Sequence, residues 1–167
     1  VSQVLDYLVD RLPAHSMLCG WSLGGMLATL IARHHPERTT GLITVCSNPK
    51  FVAADDWQDA MPAQQFTAFA KDFERQPLRT LQRFRSLTAQ GASSFQQDLR
   101  ALNRLSPTDQ VAKNNCLLST LALLGSLDVR SDLAQINKPK LHILGENDVL
   151  VPQQLAVQLQ SLDPAAS

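Results

Sequence analysis

Five residues, Gly20-Trp21-Ser22-Leu23-Gly24, limit what this chain can fold into more than any others. Before them stands Ser16-Met17-Leu18-Cys19, which reads as a short buried strand. After them Gly25-Met26-Leu27-Ala28-Thr29-Leu30-Ile31-Ala32-Arg33 reads as an apolar helix. A strand that passes into a helix over so few residues must turn sharply. Small residues on both sides of Ser22 let the backbone make that turn. The turn lifts the serine hydroxyl above the end of the strand and points the next N–H, that of Leu23, toward the same space. A Gly-Ser turn without chemistry is the competing reading, and the strand-turn-helix context argues against it.

The neighbouring segments extend the pattern. Val4, Leu5, Leu8, Val9 and Leu12 recur at helical spacing, so residues 2–12 read as an amphipathic helix ended by Pro13. Strand 16–20 and helix 23–35, closed by His34-His35-Pro36, follow. Gly41 to Cys46 is a continuous apolar run, expected to be a strand buried on both faces of a parallel sheet. Together these make a βαβ unit with an entering helix. Between about 55 and 135 no strand is expected. Helices are expected over Ala63–Arg75, from Pro77 to about Ala89, from an N-cap at Ser94 to about Leu105, and over Asn115–Leu127. The sheet resumes at Lys140–Gly145, and a helix runs from about Gln153 to Leu162. The reading is an α/β chain: a core of 1–50 and 136–167 with a helical insertion, 51–135.

A glycine-flanked serine between strand and helix is the nucleophile elbow of the α/β-hydrolases, G-x-S-x-G. In that fold the acid follows a later strand and the histidine follows the acid. Asp148 fits the acid, in the loop between strand 141–145 and Val151-Pro152, with Glu146 its local competitor. A plain Asx turn is the alternative role for Asp148. No histidine follows it: His15, His34, His35 and His142 all precede it. No glycine-containing oxyanion loop precedes residue 16 either. The expectation is a fragment lacking both ends of the fold, not competent for full catalysis alone.

Bulk properties exclude other classes. Formal net charge is +0, which removes the electrostatic case for nucleic acid or an anionic membrane. No apolar run approaches the roughly 20 residues that span a bilayer, and no signal sequence is recognisable. Cys19, Cys46 and Cys116 show no metal spacing and are expected to be buried, reduced thiols of a cytoplasmic protein. No metal or cofactor is called for, and a monomer is expected.

The elbow with Trp21 before and Leu23 after the serine, the Gly145–Pro152 loop, and the stretches Arg79-Thr80-Leu81-Gln82-Arg83-Phe84 and Gln97-Asp98-Leu99-Arg100-Ala101-Leu102 carry a resemblance. The chain resembles the pimeloyl-[acyl-carrier protein] methyl ester carboxylesterases of biotin synthesis, over essentially its whole length. The resemblance implies Ser22 as nucleophile, Asp148 as acid, and Trp21 and Leu23 beside the substrate. It implies a helical lid whose segment Phe84-Arg85-Ser86-Leu87-Thr88 lines an acyl pocket. It also implies that Arg79, Arg83 and Arg100 meet an acidic acyl carrier protein, with Gln96 standing where the family can have another arginine. From the residues alone these arginines are equally a solvated helix face, and Phe84 equally a packing residue. A general short-chain carboxylesterase, another α/β-hydrolase chemistry, and a non-catalytic binding module remain open alternatives.

Overall fold

A computed structural model describes residues 2–105, 116–164 and 166. Three parallel strands form one sheet in the order β1-β2-β3: β1 Ser16–Trp21, β2 Thr39–Val45 and β3 Lys140–Ile143. Helix α1 (Ser2–Val9) precedes β1, and α2 (Leu23–His34) crosses from β1 to β2. A short 3-10 turn at Pro36–Arg38 returns the chain to the sheet. Helices α3 (Ala63–Arg75), α4 (Pro77–Ala89), α5 (Phe95–Leu105) and α6 (Cys116–Ser126) lie between β2 and β3 in sequence. The expected start of α6 at Asn115 lies outside the described residues. Helix α7 (Arg130–Ala134) leads back to β3, and α8 (Leu155–Leu162) follows the loop of residues 144–154.

Register explains which side chains reach the core. Leu18, Leu42 and Lys140 stand side by side, as do Gly20, Thr44 and His142. Leu18 and Leu42 on this face join one apolar core with Ala28, Ile31, Leu133, Leu155 and Leu159. Leu42 and Leu155 are wholly buried, each side chain contributing about 1.5–3 kcal/mol by leaving water. The opposite face carries Met17, Cys19, Trp21, Leu141 and Ile143, all exposed, with Ile43 and Val45 half-buried. Here the expectation of burial on both faces fails: all the described helices leave this face open. The same geometry corrects the cysteines. Cys19 is exposed on that open face, Cys116 is exposed at the start of α6, and only Cys46 is half-buried.

The helical segment is held at its two roots. Asn48 accepts a hydrogen bond from the Trp57 indole (2.8 Å) and donates to the Asp59 carbonyl (3.0 Å). The Val129 N–H donates to the Pro49 carbonyl (2.8 Å). Asp128 binds Arg130 (2.7 Å) and Lys50 (3.0 Å), and Arg130 also reaches Asp56 (2.9 Å) and lies over the Trp57 ring. The Arg130 hydrogen bonds hold the Asp128 carboxyl well below the usual carboxylate range, against partial burial, with Lys50 adding to the effect.

Beneath the sheet lies a buried polar cluster. Lys140 Nζ pairs with Asp163 Oδ1 at 3.1 Å and donates to the Ile136 carbonyl. His142 Nδ1 shares a 2.6 Å hydrogen bond with the Thr44 hydroxyl. His142 Nε2 and Asp163 Oδ2 face each other at 3.7 Å, and neither atom has another hydrogen-bond partner among the described residues. Burial pushes the His142 pKa down, opposed by the Asp163 charge and helped by Lys140. This has a sign for stability. Above the unfolded value, about 6.5, the ring is neutral in both states and its contribution is fully present. Below it, the unfolded chain takes up a proton that the folded chain resists. Stability is therefore lost progressively as pH falls from about 6.5 toward the depressed folded value. Melting temperatures between pH 8 and 5 should show this slope, and His142→Gln should flatten it.

Candidate active site

Strand ends build the site. All three strands run parallel, so the residues after Trp21, Val45 and Ile143 share one edge of the sheet. Ser22 follows the first of them with φ 53° and ψ −124°. That left-handed conformation costs a non-glycine residue about 1–3 kcal/mol and persists only where neighbours over-determine it. They do so here. The Ser22 N–H donates to the Val45 carbonyl (2.9 Å), and its own carbonyl accepts from Gly25 N–H (2.9 Å) and the Ser47 hydroxyl (2.7 Å). Ser47 is buried, and no motif in the sequence marks it.

The glycines divide the steric work unevenly. A Cβ on Gly20 would overlap the Gly24 carbonyl and the Gly25 nitrogen, both backbone. A Cβ on Gly25 would lie 2.6 Å from Ser47 Cβ. Gly24, the second glycine of the motif, faces open space. Gly24→Ala is therefore expected to leave stability within about 1 kcal/mol, helped by alanine's helix propensity. Gly20→Ala should cost several times more or prevent folding. Chemical denaturation of the two variants checks the contrast.

Leu23 and Gly24 open α2, where the first N–H groups of a helix have no intrahelical acceptor. The positive end of the helix dipole therefore lies beside Ser22, suited to a developing oxyanion.

Asp148 sits two strands away, in the loop after β3. Its Oδ1 accepts hydrogen bonds from the N–H groups of Leu150 (2.8 Å) and Val151 (3.0 Å). The Cys46 thiol lies beside it. Burial first, and then the hydrogen bond to Asp148 and the charge of Asp148, push that thiol's pKa up. Cys46 itself has φ 44° and is anchored by its N–H to the Ile143 carbonyl (2.8 Å). Two strand spacings, roughly 10 Å, separate the lines of β1 and β3. A serine and a carboxylate so placed need an intervening group, and an imidazole with two hydrogen bonds fills most of that span. The four histidines are placed elsewhere. His34 lies 3.1 Å from Asp132, His35 3.8 Å from Glu37, and His142 is in the cluster beneath the sheet. His15 is exposed ahead of β1.

A cavity of about 370 Å³ lies between the helical segment and the core. Phe51, Phe66, Phe69, Phe84, Leu87 and Leu150 make much of its wall, with Arg83 and Asp72 at its polar side. Phe84 and Leu87 reach it because they are three apart on α4. Arg85, Ser86 and Thr88 do not line it. Arg85 is buried and donates to Asn103 (3.2 Å), while Ser86 and Thr88 spend their hydroxyls on the carbonyls of Gln82 and Phe84. Trp21 is exposed on the sheet's open face, and neither it nor Ser22 or Leu23 lines this cavity. Spacing could have found Phe66 with Phe69, and Leu121 with Leu124, each pair one turn apart. Arg79 and Arg83 line a polar cleft with Asp72, Gln76 and Thr80, and Arg100 is exposed on α5. Among the described residues no cluster of His, Cys, Asp or Glu is arranged to hold a metal ion.

A parallel sheet, a strained serine at a strand-to-helix turn, and a carboxylate in the loop after a later strand define a class. The alpha/beta hydrolase fold family matches residues 1–166, and the chain belongs to it. Among curated relatives, it is 34% identical to the pimeloyl-[acyl-carrier protein] methyl ester esterase of Vibrio cholerae, over 98% of this chain and 64% of that protein. It is 36% identical to the biotin biosynthesis bifunctional protein BioHC of Teredinibacter turnerae, over 99% of this chain and 30% of that protein. The chain thus spans under two-thirds of the length of these relatives. Among solved structures, an esterase from Exiguobacterium antarcticum superposes with a TM-score of 0.79 at 19% identity, covering 99% of this chain and 61% of that one. The enol-lactonase from Burkholderia xenovorans gives 0.76 at 18% identity, with 99% and 62% covered.

Proposed function

We propose that this chain carries the nucleophile and acid of a cytoplasmic serine carboxylesterase that hydrolyses the methyl ester of pimeloyl-acyl carrier protein. The observation that carries the reading is Ser22, held at φ 53° at the N-terminus of α2. The names of the relatives supply the substrate. Residues 51–135 then act as a lid over a core of 1–50 and 136–167.

In this reading the Ser22 hydroxyl attacks the ester carbonyl as an imidazole takes its proton. The Leu23 N–H and the α2 dipole hold the oxyanion. The tetrahedral intermediate expels methanol, which receives the proton from the imidazolium, leaving an acyl-serine. Water, deprotonated by the same imidazole, then cleaves the acyl-serine and restores Ser22. The chain's own histidines do not stand there: His34, His35 and His142 face Asp132, Glu37 and Asp163, and His15 is exposed ahead of β1. The cavity beside Phe84 and Leu87 seats the acyl chain, while Arg79, Arg83 and Arg100 face the acidic carrier.

The test uses two substrates and the full-length gene product. Arg79→Glu with Arg100→Glu, neither of which lines the acyl cavity, should lower kcat/KM on the carrier-bound ester by about 10- to 100-fold, because charge-assisted contacts become repulsive. Hydrolysis of a free short-chain ester should stay within about twofold. Equal loss on both substrates would sink the carrier assignment and favour a general carboxylesterase.

A further inference from the structure

The corner between α4 and α5 rests directly on the acid loop. Gly91 there has φ +89°, a conformation that L side chains rarely adopt. A Cβ on it would lie 2.6 Å from Asn147 Cβ and 2.8 Å from the Asn147 carbonyl oxygen. Both atoms belong to the loop's near-backbone, so neither can swing aside as a long side chain would. Asn147 is the residue before Asp148. Its carbonyl and the Asp148 N–H belong to one planar peptide, so pushing on the first rotates the second. That N–H closes the loop's own turn by donating to the Gly145 carbonyl at 3.3 Å. The Asp148 carboxylate is fixed from the other side by Leu150 and Val151. The acid's orientation is therefore set by two neighbours in the loop and by contacts from outside it, the Cys46 thiol at the carboxylate and Gly91 at the peptide before it.

We propose that Gly91 is a positioning residue: it seats the α4–α5 corner on the Asn147–Asp148 peptide and so couples the helical segment to the orientation of the acid. The proposal rests on Asp148 being the acid. Its consequence is directional. Helix α4 carries Arg79 and Arg83, α5 carries Arg100, and Gly91 is in the corner that joins them. A partner that presses on both helices presses on that corner, and through it on the peptide that carries Asp148. Recognition at the helices and competence at Ser22 then become one event.

The experiment measures kcat and KM on a free short-chain ester, which needs no carrier, in the full-length gene product. Gly91→Ala is expected to lower kcat about tenfold or more, since small misplacements of catalytic groups are costly. KM should stay within about twofold. Gly91→Asn separates the causes: asparagine tolerates positive φ but carries the same Cβ, so it should lose as much as alanine. Unchanged kcat in Gly91→Ala, or full recovery in Gly91→Asn, would overturn the proposal. A purely structural role would lower the melting temperature and leave kcat per folded molecule alone. Should both Gly91 variants fail to fold, Asn147→Gly removes the Cβ contact from the loop side. Its kcat should fall at least about threefold, and an unchanged value would count against the coupling. A wild-type protein that hydrolyses neither the free nor the carrier-bound ester would refute the esterase reading, separately from the coupling.

Discussion

Ser22→Gly should give a protein that is more stable and catalytically dead. The wild-type residue holds φ 53° and ψ −124°, which glycine adopts without steric penalty. Relief of that strain is worth about 1–3 kcal/mol. Offsetting it, glycine frees the unfolded chain by up to about 1 kcal/mol. The backbone ties of Ser22 to Val45, Gly25 and Ser47 survive, because all of them use main-chain atoms of residue 22. The net expectation is a rise of roughly 1 kcal/mol in unfolding free energy, read by urea denaturation. Loss of the hydroxyl removes the proposed nucleophile, without which no acyl-serine can form at position 22. Turnover should fall by about 10³-fold or more, to what the oxyanion site and binding supply. Labelling by a fluorophosphonate should vanish with it. A variant that is inactive but less stable than wild type would mean that the φ at Ser22 is not under strain.

The elements legible in the sequence were those with local punctuation. Helices α3 and α4 match expectation at both ends because Pro62 and Pro77 mark their starts and Gln76 and Gln90 leave the helical region. The five residues of α7 are too short to show a period, yet Val129 and Leu133 are almost fully buried. The elbow was legible as a motif, but its steric logic was not. The pattern weights Gly20 and Gly24 alike, whereas Gly25 is the residue pressed against Ser47. That contact joins positions 22 residues apart, and no local pattern encodes it. The same holds for Cys46 beside Asp148 and for Gly91 against Asn147. On α4, the resemblance implies that Phe84 to Thr88 line an acyl pocket as one segment. A helix presents only Phe84 and Leu87 of it to the cavity, and turns Arg85 toward Asn103.

Asp148→Asn should lower kcat by about 10⁴-fold while the loop keeps its shape. The retained amide oxygen can still accept from the N–H groups of Leu150 and Val151. The other oxygen becomes an NH₂ group. A donor then faces the imidazole where an acceptor is needed, which favours the tautomer that cannot take the serine proton. Asp148→Ala should be equally inactive but also less stable, because two loop N–H groups lose their acceptor, at about 1 kcal/mol each. Cys46 reports the same change without any assay of turnover. Burial is the first cause of its raised pKa and persists, but the Asp148 charge and hydrogen bond also contribute. Neutralising residue 148 should let the thiol ionise more readily, so alkylation of Cys46 by iodoacetamide should quicken at constant pH. Peptide mass spectrometry separates Cys46 from the exposed Cys19 and Cys116. Glu146 is the alternative acid, one residue beyond Gly145 and exposed. Glu146→Gln should leave kcat within about twofold, since an exposed carboxylate aimed at solvent orients nothing. If Glu146→Gln abolishes activity and Asp148→Asn does not, the acid has been assigned to the wrong end of this loop.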